Sequence, residues 1–374
     1  MTPRRWLFTG ITAVMVVFAM LMVVLLSEGI YVLLHFQQPS TGLTYKLMKS
    51  IYSSTPNADP DWPELVDVGQ IRPYLSEMKE NGVGIGNSPF QELVTEVARV
   101  NHVVDGCLQM KPNLSKTMSY MRSELFNPFN PLFYFYDSDR TLPGDLATFL
   151  DRYSFRKIRL TTNAHGERIT IPAIETTDKI LVIGDSMGMS AGVSDDETLA
   201  SQLQARDSSH QYVNIGVSGA DPTDILCALE RAVTRYPNQI RGVIYPFSEN
   251  DLAARKPLGR PEQFISALVQ VNKEHGIKDF TLIYMPYIYN SIPDVTRIPG
   301  HVEYLRRRPF DEKKKLLALA KAAGFRAFDY TEITDAERSA QGSQFAAFAL
   351  YVDHTHLSRL GIARLVERLS QHNQ

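Results

Sequence analysis

The chain has 374 residues, 44% of them hydrophobic and 21% charged, and its 39 Lys and Arg nearly cancel 41 Asp and Glu to leave a formal charge of −2. That is an ordinary globular composition, long enough for about two domains or one large domain with an appendage, and it excludes collagen, coiled coil and wholesale disorder. Without a concentrated basic footprint, nucleic acid is not an expected partner.

The first element is an uncharged run of 22 residues, Trp6 to Ser27, long enough to cross a bilayer as a helix. Arg4 and Arg5 precede it, and no Lys or Arg follows until Lys46, so the positive-inside rule sets the N-terminus in the cytoplasm and the remainder outside. Trp6 and Tyr31 stand near its two ends, where amphipathic aromatics favour the interface. A cleaved signal peptide is the rival reading, but the run is long for one and no small-x-small site follows it. Residues 1–36 are therefore expected to be an N-terminal transmembrane anchor. Residues 37–175 are expected to be a stalk and a smaller accessory lobe, with a Ser/Thr/Pro/Asn-rich stretch over 37–60. Apolar periodicity predicts an amphipathic helix over 90–104. The six aromatics and two prolines of 125–139 are read as the core of an irregular lobe, in preference to a sugar-stacking surface. Cys107 and Cys227 are too few for a disulfide framework and are read as buried thiols, with one bridge in an oxidising compartment as the alternative.

From Asp178 the texture changes. Strands are predicted at 179–184, 212–216, 241–247, 279–286 and 325–330, separated by helices at about 196–206, 222–236, 261–275 and 311–323, with a last helix from Ser358 to about 370. Alternation at this spacing predicts an α/β layer fold with a mainly parallel five-stranded sheet over 176–374. Ligands of such sheets sit at the carboxyl ends of the strands.

Unusual polar residues gather at those ends. Gly184-Asp185-Ser186-Met187-Gly188 follows the first strand, Asn214-Ile215-Gly216-Val217-Ser218-Gly219 the second, and Ser248-Glu249-Asn250-Asp251 the third; Asp353-His354-Thr355-His356-Leu357-Ser358 lies near the C-terminus. A serine is a poor nucleophile until a base takes its proton, and a histidine base needs an acceptor to hold its tautomer. Asp353 and His356, three apart, can supply both parts. Fixed donors for a developing oxyanion are available in the N–H of Ser186, the N–H of Gly219 and the amide of Asn250. Asp185 and Asp251 are read as structural acceptors, and His354 as a solvated loop residue. The remaining histidines show no metal-ligand spacing.

Together these blocks resemble the SGNH (GDSL-like) hydrolase family over roughly 178–370. The resemblance implies Ser186 as nucleophile and first oxyanion donor, Gly219 and Asn250 as the other donors, His356 as general base and Asp353 as its orienting partner. It also implies a flavodoxin-like three-layer α/β sandwich and no cofactor or metal. GDSMG equally fits the G-x-S-x-G elbow of α/β-hydrolases, but the Asp and His stand only three apart and the serine follows the first strand of its domain. One departure is Ser248, where the family usually has glycine, with Glu249 behind it; that carboxylate is expected to point away from the oxyanion. Thr162-Asn163-x-x-Gly166-x-Arg168 resembles a T-N-x-x-G-x-R stretch of membrane-anchored bacterial members and is read as a turn joining the lobes. The insert 287–310 is either a lid or a solvated basic loop. The expected activity is serine ester hydrolysis outside the cytoplasm, on an acylated glycan or small ester. An O-acetyltransferase and a non-catalytic glycan-binding or assembly protein are the alternatives.

Overall fold

The runs of the second half carry apolar residues at successive positions, as strands covered on both faces must. The computed structural model gathers them into one sheet; it describes residues 71–86, 100–121, 132–252, 258–288, 310–342, 346–353 and 355–371, with Met15, Val16, Phe18, Ala19 and Val23. In its first part α1 (Leu75–Glu80) leads into β1 (Gly84–Gly86), and β2 (Asn101–Val104) and β3 (Cys107–Met110) form a hairpin. Then come β4 (Ser115–Met121), β5 (Leu132–Asp137), α2 (Gly144–Tyr153) and β6 (Ser154–Thr161). These make a four-stranded antiparallel sheet ordered β1-β5-β4-β6.

The second part runs β7 (Lys179–Val182), α3 (Ser186–Met189), α4 (Leu199–Gln204), β8 (Gln211–Asn214), α5 (Pro222–Arg235) and β9 (Ile240–Ser248). It continues with α6 (Pro261–His275), β10 (Asp279–Met285), α7 (Phe310–Ala322), β11 (Arg326–Asp329), α8 (Thr331–Gln341) and α9 (Arg359–Gln371). All neighbouring strands pair in parallel, in the order β11-β10-β9-β7-β8. The first strand of the domain thus lies between the second and third, and a crevice opens at its carboxyl end because the chain leaves in opposite directions on either side.

Strand alternation sorts the core into two layers. Leu181, Val243, Tyr245 and Leu282 pack on one face with Leu229 of α5, Leu268 of α6 and Leu316 of α7. Val182, Ile244 and Ile283 pack on the other with Leu199 of α4 and Leu365 of α9. The first layer also contains Met110, Met118, Tyr120, Phe135, Ile158 and Leu160, so the antiparallel sheet shares the core of the α/β layer. A third cluster, with Tyr134 and Tyr136 of β5 against Leu146, Phe149 and Tyr153 of α2, covers its far face. Tyr134, Phe135 and Tyr136 of β5 are therefore core, as expected, while 125–131 lie outside the described residues.

Three other expectations are affected. The helix predicted over 90–104 ends instead as strand β2, because Asn101–Val104 pair with Cys107–Met110 across a two-residue turn at Asp105 and Gly106, both with positive φ; residues 90–99 lie outside the described residues. The two cysteines are a disulfide, Cys107–Cys227, and not free thiols. Among the described residues no helix is long and apolar enough to cross a membrane. The expected span lies outside the described residues but for five helical positions, of which Met15, Val16, Phe18 and Val23 are exposed.

Candidate active site

Ser186 is set by packing at the end of β7. Asp185 caps α3: its carboxylate accepts the Met187 N–H at 2.8 Å, and its carbonyl accepts the Met189 N–H at 2.9 Å. This is the structural role expected of it. A Cβ on Gly188 would stand 2.2 Å from the Ile183 carbonyl oxygen, so only glycine lets this turn of helix sit on the strand end. Ser190 closes α3 in a left-handed conformation, φ 63°.

The chain beyond α3 is fastened by Arg168, which is 2% exposed. Its Nη1 donates to the carbonyls of Met189 (3.0 Å) and Ser190 (2.9 Å), and its Nη2 to those of Val193 (2.6 Å) and Arg159 (3.1 Å). Its Nε donates to Asp195 at 2.9 Å. The segment around it is the expected turn: Asn163 Oδ1 accepts the N–H groups of His165 and Glu167, and Glu167 pairs with Arg235. The tie from Arg168 to the nucleophile loop was not legible. The available signal was an arginine shortly before the serine block and an acidic triplet, Asp195–Glu197, shortly after it.

The three residues expected to form a relay come together from the two ends of the domain. His356 Nε2 lies 2.8 Å from Ser186 Oγ, and His356 Nδ1 lies 2.7 Å from Asp353 Oδ2. The other oxygen of Asp353 accepts the N–H groups of Thr355 and His356, each at 2.8 Å. The carboxylate therefore caps its own turn, which is why a three-residue spacing suffices to aim it at the imidazole. With Nδ1–H donated to Asp353, Nε2 keeps its lone pair for the serine proton. Burial of His356 pulls its pKa down, but the Asp353 charge and hydrogen bond, with Asp185 behind them, hold it above its ordinary value of 6.5.

The expected oxyanion donors stand on the loops that follow β7, β8 and β9. The Ser186 N–H, first in α3, and the Gly219 N–H meet no acceptor among the described residues. Gly219 is the third residue of a turn in which the Ala220 N–H donates to the Val217 carbonyl at 3.0 Å, and its φ is +77°. Ser218 is not at positive φ, so the turn is type II, which calls for glycine at that place. Asn214 braces the same loop: buried, it accepts the Gly216 N–H at 3.1 Å and donates to the Met189 carbonyl at 3.3 Å. Asn250 stands in the 3₁₀ turn Glu249–Leu252 after β9; its side chain lies outside the described set.

Two residues beside Asn250 depart from the pattern of the resemblance. Ser248 closes β9 in extended backbone and its N–H donates to Asp251 at 3.1 Å, while its buried hydroxyl meets no partner among the described residues. Asp251 also accepts the Tyr245 hydroxyl at 2.9 Å and is structural, as expected. Glu249 is buried and its carboxylate accepts the Tyr284 hydroxyl of β10. Burial, then the Glu249 charge, push the Tyr284 phenol well above its usual pKa, so it stays a donor. His354 lies outside the described residues, as do 289–309 of the insert; Tyr287 and Ile288 at its start are buried. Among the described residues no group of three or more His, Cys, Asp or Glu could share a metal ion.

No family model matches the chain, and no curated protein matches it. Solved structures similar to it include a lipolytic G-D-S-L family protein from Veillonella parvula, at 14% identity over 52% of this chain and 96% of that one, with a TM-score of 0.39. An acetyl xylan esterase, AlAXEase, matches at 15% identity over 52% and 98%, TM-score 0.39. An acetylxylan esterase from Geobacillus stearothermophilus matches at 16% identity over 53% and 94%, TM-score 0.39.

Proposed function

We propose that this chain is a serine ester hydrolase of the SGNH type, anchored in a membrane by its N-terminal helix, that removes O-acetyl groups from a glycan outside the cytoplasm. One observation carries the reading: Ser186 Oγ, His356 and Asp353 form a continuous relay at 2.8 and 2.7 Å at the carboxyl end of β7. His356 takes the serine proton as Oγ attacks the acyl carbon, and Asp353 stabilises the imidazolium. The N–H groups of Ser186 and Gly219, with Asn250, receive the oxyanion. His356 then gives its proton to the leaving alkoxide, and the acyl-enzyme is opened by water activated at the same nitrogen.

The acetyl group is part of the proposal; a small apolar cavity lined by Met187, Ala191, Leu199, Pro246, Met285 and Leu357 among others adjoins Ser186. Extracytoplasmic placement is supported by the Cys107–Cys227 bridge, since disulfides persist in oxidising compartments. The anchor is supported by the helical, exposed Met15, Val16, Phe18 and Val23, which hydrocarbon would cover.

The test is a fluorophosphonate label on the full chain, read beside acetate release from an acetylated glycan and from a fatty-acyl ester. Wild type should label and release acetate, and Ser186→Ala and His356→Ala should do neither. Acetate release that survives Ser186→Ala would refute the mechanism. Preference for the fatty-acyl ester would refute the acetyl reading.

A further inference from the structure

The β2–β3 hairpin is packed beside the oxyanion loop in a way that the reaction scheme leaves unused. Asn101, first residue of β2, donates from Nδ2 to the Ser218 carbonyl at 2.7 Å, across 117 residues of sequence. That carbonyl and the Gly219 N–H belong to one peptide plane, and in a trans peptide they point in opposite directions. Holding the carbonyl therefore fixes the direction of the donor.

The turn makes this bond consequential. Types I and II differ by a flip of the central peptide, here Ser218–Gly219. Gly219, free of a side chain, tolerates either form, and a Cβ there would meet nothing within 4 Å, so the residue type by itself does not select one. Asn101 selects the observed form by engaging the carbonyl that a flip would turn away. The hairpin itself is fixed to α5, whose cap Asp221 lies two residues after Gly219. The Leu108 N–H donates to Asp224 at 2.7 Å, Arg231 donates to the Val104 carbonyl, and Cys107 is bonded to Cys227. The capping box of Asp221 and Asp224 closes the connection: Asp224 accepts both the Leu108 N–H and the Asp221 N–H.

We propose that Asn101 is a positioning residue for ester hydrolysis, holding the Ser218–Gly219 peptide so that the Gly219 N–H faces the oxyanion. This rests on the serine-esterase reading above. Its reach is part of what a full oxyanion donor supplies, which is about 10²–10³ in kcat.

The experiment measures kcat and KM of the full chain on 4-nitrophenyl acetate for wild type, Ser186→Ala, Asn101→Ala, Asn101→Asp, Gly219→Ala and the Asn101→Ala/Gly219→Ala double variant, with thermal unfolding in parallel. Asn101→Ala should lower kcat about tenfold at nearly unchanged KM and melting temperature. Asn101→Asp, isosteric but without the donor and repelling the carbonyl, should lose more than Ala. The double variant should lose little beyond Gly219→Ala alone, because both changes act on one peptide. Wild-type kcat in Asn101→Ala, a loss confined to KM or tracking unfolding, or fully additive losses would each overturn the proposal while leaving the esterase reading intact. Turnover that is absent in wild type or survives Ser186→Ala would instead bring down that reading, and this proposal with it.

Discussion

The Arg168 guanidinium and the Asp195 carboxylate meet at 2.9 Å with side-chain exposures of 0% and 3%. Asp195 Oδ1 also accepts the Thr161 N–H at 3.1 Å, so the pair joins β6 to the loop that follows the nucleophile. Arg168→Ala leaves Asp195 buried without its cation and the carbonyls of Ser190 and Val193 without their donor, while the Met189 carbonyl keeps only Asn214. It should cost about 3–5 kcal/mol. Arg168→Lys should recover little of this, since an ammonium cannot reproduce the planar fork that reaches all these acceptors. Denaturant unfolding checks both; a loss under about 1 kcal/mol in Arg168→Ala would remove the fastening role.

The parallel sheet and the relay were legible because each is written locally. Lys179–Val182 and Asp279–Met285 announce buried strands by composition, and Asp353 and His356 come within reach of each other inside a single turn. What joins distant segments was not legible. Nothing near Asn101 marks it as a partner of Ser218, and the apolar periodicity of 90–104 concealed a strand whose pairing depends on the turn at Asp105 and Gly106. Cys107 and Cys227 are 120 residues apart, and their pairing follows from the hairpin lying on α5, which local pattern does not encode. Arg168 belongs to the same class: a lone charge reads as solvated until the carbonyls around it are known.

The Cys107–Cys227 bond closes a loop of 120 residues that contains the nucleophile and the Gly219 turn. Cross-links over loops of this size limit the unfolded ensemble and typically contribute about 2–4 kcal/mol. The Cys107→Ser/Cys227→Ser double variant should therefore unfold at a lower temperature than the oxidised wild type. Reductant should bring wild type down toward the variant and leave the variant unmoved. Equal melting temperatures for the oxidised wild type and the variant would show that the bond adds no stability in solution.

On the proposed mechanism, the raised His356 pKa should set the acid limb of activity. His356 must be neutral to accept the Ser186 proton, and Asp353 favours its charged form by charge and by hydrogen bond against the opposing pull of burial. The acid limb of kcat/KM should accordingly have its midpoint above 6.5, the ordinary histidine value. Stability runs the other way. The protonated ring gains its Asp353 partner only in the fold, so that contribution is complete below the unfolded value and fades as pH rises through the higher folded one. Asp353→Asn removes the charge and leaves an amide that can hold the wrong tautomer. It should shift the limb to lower pH and reduce kcat by about 10³–10⁴-fold. A pH–rate profile of both proteins on 4-nitrophenyl acetate tests the pair of effects. A limb that stays in place in Asp353→Asn would mean that another group governs the titration.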